Sequence, residues 1–117
     1  MNVDLSSMVV PADCCRPLDD ELTGADAEAT AAVFKALADP TRVRIVSMLA
    51  RSGEPACVCE LIPPLGLSQP TVSHHLKKLV QAGLITREQR GVWAFYHLDR
   101  EGLERAASVL ELKGVEV

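Results

Sequence analysis

At 117 residues the chain has room for one domain with a modest core, and its apolar content is aliphatic rather than aromatic (48% hydrophobic, 3% aromatic), which fits helices packed on helices and argues against a β-sandwich. A formal net charge of −4 excludes a uniformly basic surface, so any contact with nucleic acid must come from a local basic patch. The opening residues show no basic segment followed by an apolar run, and no stretch approaches the roughly 20 apolar residues that span a bilayer, so the expectation is a cytoplasmic protein without a membrane partner. In that compartment cysteines stay reduced and serve as metal ligands or redox sensors more often than as structural bridges.

Residues 1–22 read as an irregular arm, broken by Pro11 and Pro17, ahead of a single unit over 23–117. Thr23 can cap a helix running to about residue 38, whose apolar stripe is Ala29, Val33, Leu37 and neighbouring Phe34. Asp39-Pro40 is a second helix start, with Pro40 at the first helical position and Ile45, Val46 and Leu49 at helical spacing to about residue 51. After the loop Ser52-Gly53-Glu54-Pro55, a short helix fits 57–64. Gly66 marks a turn and Ser68 caps a helix to about residue 83. On that helix Val72, Leu76, Leu79 and Val80 share one face, while Pro70, Thr71, His74, Lys77, Lys78 and Gln81 share the other. Two strands follow at 84–88 and 92–98, joined through Gln89-Arg90-Gly91, and a last helix spans 100–112 with Leu103, Ala106, Ala107 and Leu110 on one side. The fold class expected is therefore mainly α with a β-hairpin wing, a winged helix-turn-helix.

Charge is divided along the chain. Up to Glu28, seven acids (Asp4, Asp13, Asp19, Asp20, Glu21, Asp26 and Glu28) face Arg16 alone, whereas from Ser68 to Arg100 the basic residues Lys77, Lys78, Arg87, Arg90 and Arg100 face only Glu88 and Asp99. The basic surface falls where a DNA reader needs it. No nucleophile-base pairing and no phosphate-cradling glycine loop is legible, so an enzyme is not expected.

Two stretches, Phe34-Lys-Ala-Leu-Ala-Asp-Pro-Thr-Arg-Val-Arg-Ile45 and Leu65-Gly-Leu-Ser-Gln-Pro-Thr-Val-Ser-His-His-Leu-Lys-Lys-Leu79, continued by Ala82-Gly-Leu-Ile85 and by Tyr96-His-Leu98, resemble the ArsR/SmtB family of metal-sensing repressors over roughly residues 25–112. The resemblance implies a symmetric homodimer with its first and last helices at the interface, binding double-stranded operator DNA without ligand and releasing it on ligand binding. The chain departs from the family pattern at the hairpin, where Gly91-Val92 stands in place of Gly-Arg, and at Ile62-Pro63-Pro64, where the family usually continues a helix.

For such a reader, the candidate groove contacts are Gln69, Thr71, Ser73 and His74, and the candidate phosphate contacts are Lys77, Lys78, Arg87 and Arg90. His75 sits towards the edge of that face and is read as a packing residue. Neighbouring histidines on a helix diverge by about 100°, so His74 and His75 are not read as a metal pair.

The four cysteines form two groups, Cys14 with Cys15 in the arm and Cys57 with Cys59 at the start of the short helix. Thiolates select soft ions, and a helix N-terminus favours the thiolate. Val58-Cys-Glu-Leu61 resembles the metal-binding helix of the family's arsenic and cadmium sensors, but Ile62 occupies the position of a third helix cysteine. Asp13-Cys14-Cys15 resembles the arm of other arsenic-responsive members, in which an adjacent pair joins one helix cysteine of the partner subunit. The stretch from Cys15 to Thr23 can span roughly 25 Å, enough to cross a dimer interface. The resemblance thus implies As(III) or Sb(III) as inducer, with Cys14, Cys15 and either Cys57 or Cys59 as ligands; Cys57, the less embedded in the helix, is slightly favoured. The alternatives are a four-thiolate Cd(II), Pb(II) or Zn(II) site, and a redox switch that bridges Cys57 to the arm. The zinc site of the last helix is rejected, because residues 99–117 contain no histidine.

Overall fold

A computed structural model describes residues 15–111. The elements run α1 (Gly24–Leu37), α2 (Pro40–Ser52), β1 (Ala56–Cys57), α3 (Val58–Leu65), α4 (Gln69–Gln81), β2 (Ile85–Arg90), β3 (Trp93–Leu98) and α5 (Arg100–Ser108). Helix starts follow the capping chemistry read from the sequence. The Thr23 side chain accepts from the Asp26 N–H, and Asp39 from Thr41 and Arg42 N–H groups at 2.8 and 3.2 Å. The Ser68 side chain accepts from the Thr71 N–H. Each hydroxyl or carboxylate satisfies a donor that the first helical turn leaves unpaired.

The core gathers Ile45 and Leu49 of α2, Leu61 and Leu65 of α3, and Val72, Leu76 and Leu79 of α4, with Leu84, Ile85 and Tyr96 closing it from the hairpin. Val72, Leu76 and Leu79 have no exposed surface, so the stripe read at helical spacing is the face that α4 buries. Full burial of each contributes about 1.5–3 kcal/mol.

Four expectations are corrected. Ala56 and Cys57 form a two-residue strand where the sequence suggests loop and helix, pairing antiparallel with β3 so that the sheet order is β1-β3-β2. The hairpin turns at Gly91-Val92 rather than through 89–91: Arg90 pairs with Trp93, and Gly91 supplies a left-handed φ of 61°. Helix α5 stops at Ser108, short of residue 112, and leaves Leu110 exposed. In α1 the buried residues are Val33 and Ala36, while Phe34 is 40% exposed. Pro63 and Pro64 lie inside α3, which ends after eight residues on the left-handed Gly66.

Helix α5 comes close to the segment that follows α4. A Cβ on Gly102 would collide with the Gly83 carbonyl oxygen, so backbone packs directly on backbone there. A cavity of about 330 Å³ opens between α1 and α5, lined by Leu22, Val33, Ala106 and Val109 among others.

Candidate DNA interface and thiol site

Helices α3 and α4, joined by the turn Gly66–Ser68, form a helix-turn-helix whose second member carries the polar face. Gln69, Thr71, His74, Lys77 and Lys78 are exposed along α4, and Ser73 is half-buried. The Thr71 hydroxyl lies 2.9 Å from that of Ser68, so it takes part in the helix cap as well as facing outward. His75 is half-buried with its Nδ1 enclosed and unpartnered, in keeping with a packing position.

Arg87 and Arg90 project from β2 and are exposed. The Arg87 guanidinium donates to Gln89 Oε1 at 2.7 Å. The Arg90 guanidinium lies 4.9 Å from the centroid of the Phe95 ring and donates to Glu88 Oε2 at 3.1 Å. That hydrogen bond holds the Glu88 carboxyl below the usual carboxylate range. Arg90 is thus held on the wing from two sides, by an aromatic face and by a carboxylate.

The thiol site is built at the junction of β1 and α3. Cys57 is the N-cap of α3, with φ −89° and ψ 163°, and its N–H donates to Glu60 Oε1 at 3.0 Å. On a regular helix a two-residue offset would turn Cys57 and Cys59 apart. Because Cys57 is extended and only Cys59 is helical, both side chains face the same way and their sulfurs are joined, with Cα atoms 5.4 Å apart. The redox alternative bridges Cys57 to the arm; the structure joins Cys57 locally to Cys59, and Cys14 of the arm lies outside the described residues. Cys57 is buried and Cys59 exposed, so Cys57 behaves partly as a core residue. Cys15 is exposed at the start of the described residues, and Cys14 lies outside them.

Two partners at these sites escaped the sequence reading. Glu60 was detectable, since Cys57-x-x-Glu60 has the spacing of a capping box with a thiol in place of a hydroxyl. Phe95 gave no signal beyond strand alternation.

A helix-turn-helix followed at once by a hairpin, with a basic polar face on the second helix, defines a winged helix-turn-helix DNA-binding protein. Residues 39–87 match the family model described as bacterial regulatory protein, arsR family. An HTH-type transcriptional regulator of Methanocaldococcus jannaschii, itself uncharacterised, is 45% identical over 71 residues, 61% of this chain and 79% of that protein. The arsenic resistance transcriptional regulator ArsR1 of Pseudomonas putida is 49% identical over 69 residues, 59% of this chain and 53% of that protein, so the match spans about half of that relative's length. Among solved structures, the homodimeric winged helix-turn-helix domain of a possible ArsR-family regulator from Mycobacterium bovis superposes with a TM-score of 0.64 at 24% identity, covering 80% of this chain and 86% of that one, a likeness of fold. The chain belongs to the ArsR family of transcriptional regulators. Among the described residues no helix is long and apolar enough to cross a membrane.

Proposed function

We propose that the chain is a cytoplasmic, homodimeric repressor that holds operator DNA and releases it when As(III) or Sb(III) binds its cysteine thiolates. The observation that carries this reading is the placement of Cys57 and Cys59 at the head of α3, the helix that leads into α4, where either sulfur, once their bridge is reduced, is a soft donor beside the helix-turn-helix. The arsenic resistance regulator of Pseudomonas putida named above supports the choice of ligand. The soft donor set also fits: arsenite exchanges three hydroxyls for three thiolates, each new As–S bond taking the place of an As–O bond as water leaves. One sulfur comes from Cys57 or Cys59, and Cys14 and Cys15 supply the other two. Gln69, Thr71, Ser73 and His74 read the major groove, and Lys77, Lys78, Arg87 and Arg90 hold phosphates. The exposed apolar residues Phe34 of α1 and Val109, which lines the cavity between α1 and α5, supply the dimer face.

The adjacency of the two helix sulfurs also favours a second reading, a redox switch in which an oxidant such as diamide takes two electrons and two protons from Cys57 and Cys59. The use of all four cysteines for Cd(II), Pb(II) or Zn(II) is the further alternative. Native mass spectrometry of the reduced protein with arsenite and Cd(II) in competition separates them, repeated on serine variants of each cysteine. Two arsenics per dimer, lost in Cys14→Ser and Cys15→Ser but kept in one of the helix variants, is the expected result. Preferential Cd(II) uptake needing all four cysteines would overturn it in favour of a divalent-metal repressor. DNA release by diamide without metal would favour the redox reading.

A further inference from the structure

The sheet register places the thiol site and the wing arginine in one row. Cys57 of β1 sits opposite Phe95 of β3, and Phe95 sits opposite Glu88 of β2. Residues directly opposite on antiparallel strands project from the same face, with Cβ atoms about 5 Å apart. Arg90, two positions beyond Glu88, returns to that face, where its guanidinium lies over the Phe95 ring and donates to Glu88. Trp93, the sole tryptophan of the chain, is the strand partner of Arg90 and is exposed. Cys57 and the wing tip are therefore linked through one residue: Phe95 is the cross-strand partner of Cys57, and its ring lies under the Arg90 guanidinium.

We infer that Phe95 is a positioning residue that carries the state of Cys57 to Arg90, so that loading the thiol site re-aims the wing. This rests on the proposed thiol site with Cys57, rather than Cys59, as its helix ligand, and on the proposed role of Arg90 as a phosphate contact. A strand of only two residues, bonded to β3 and followed by the cap of α3, leaves Cys57 few ways to move without moving its cross-strand neighbour. A ligand that displaces the Cys57 sulfur moves β1 with it and shifts the ring on which the arginine rests. The Glu88 ion pair then competes with phosphate for a guanidinium that has lost its aromatic support. The coupling is reciprocal: DNA that fixes Arg90 on Phe95 disfavours the loaded thiol site by the same factor.

Trp93 is a native reporter for the test. The reduced full-length dimer is titrated with arsenite, and separately with Cd(II), while Trp93 emission and bound metal by native mass spectrometry are followed together. In the wild type the emission change should saturate with metal uptake. Phe95→Leu should keep the metal stoichiometry and lose most of the Trp93 response, and Phe95→Tyr should restore it. Affinity for a DNA duplex, measured with and without arsenite, should differ about tenfold or more in the wild type and less than about threefold in Phe95→Leu. Metal uptake in the wild type without a Trp93 change, or a Phe95→Leu response equal to that of the wild type, overturns the inference and leaves the proposed function standing. Absence of thiol-dependent uptake of either probe overturns the ligand reading, and the inference with it.

Discussion

The two helices of the helix-turn-helix are built to opposite specifications. Helix α4 has thirteen residues, a serine cap and a stripe of three side chains with no exposed surface. Helix α3 has eight residues, a cysteine at its N-cap and two prolines inside, which withdraw two N–H groups from its hydrogen-bond ladder. Both bury leucines in the same core. The reader is fixed by packing and by its own hydrogen bonds, whereas the thiol-bearing helix is held mainly by packing. An element of that kind can be displaced by a ligand without melting the one beside it.

The comparison can be broken most directly in the core. Leu76→Ala should cost about 2–5 kcal/mol, because the site is sealed and cannot collapse fully, and chemical denaturation should show a lower midpoint. Pro63→Ala should act in the other direction: restoring an N–H to α3 should stabilise the fold by about 1 kcal/mol or more and blunt the response to arsenite. A variant with the stability gained and the arsenite response intact would show that the weakness of α3 is irrelevant to switching. Ser68→Ala should cost about 1 kcal/mol through loss of the α4 cap. In the reduced protein Cys57→Ser, by contrast, leaves a competent cap residue on α3, so its thermal midpoint should fall by less than that of Ser68→Ala while thiol chemistry at that position disappears.

The smallest effect expected is on pH dependence. The Asp39 carboxyl is held below its ordinary value of 3.8, chiefly by the Arg42 N–H and further by the Thr41 N–H. A lowered folded-state pKa stabilises the fold fully above the unfolded value, and that stabilisation is lost as pH falls through the folded one. Acid unfolding below about pH 4 should therefore be shallower in Asp39→Asn, while stability measured near neutrality should show little pH dependence from this group.

Where a side chain announces a boundary, the sequence was a reliable guide. Thr23, Asp39 and Ser68 mark the starts of α1, α2 and α4, and Leu76 and Leu79 were placed in the core from spacing alone. Strand β1 was invisible because two residues carry no alternation and gain their conformation entirely from pairing with β3. The same gap hid the thiol geometry. The meeting of Cys57 and Cys59 depends on one residue being extended, which helical spacing cannot supply. The hairpin tip slipped for a related reason: Gln89 and Arg90 look like turn residues in isolation, yet they continue β2 because Trp93 and Ala94 lie opposite them. Phe34, counted in the stripe of α1, is 40% exposed in the single chain.

The seat of Gly102 against the Gly83 carbonyl has a consequence for how the molecule tolerates change. Side-chain packing can absorb a shift of a few tenths of an ångström through rotamer adjustment, but backbone resting on backbone has no such slack. Helix α5 and the end of the segment that carries α4 therefore behave as one welded joint. Position 102 is closed to every residue with a side chain, since even a Cβ would meet the Gly83 backbone. Any substitution there has to part α5 from the end of the segment that carries α4.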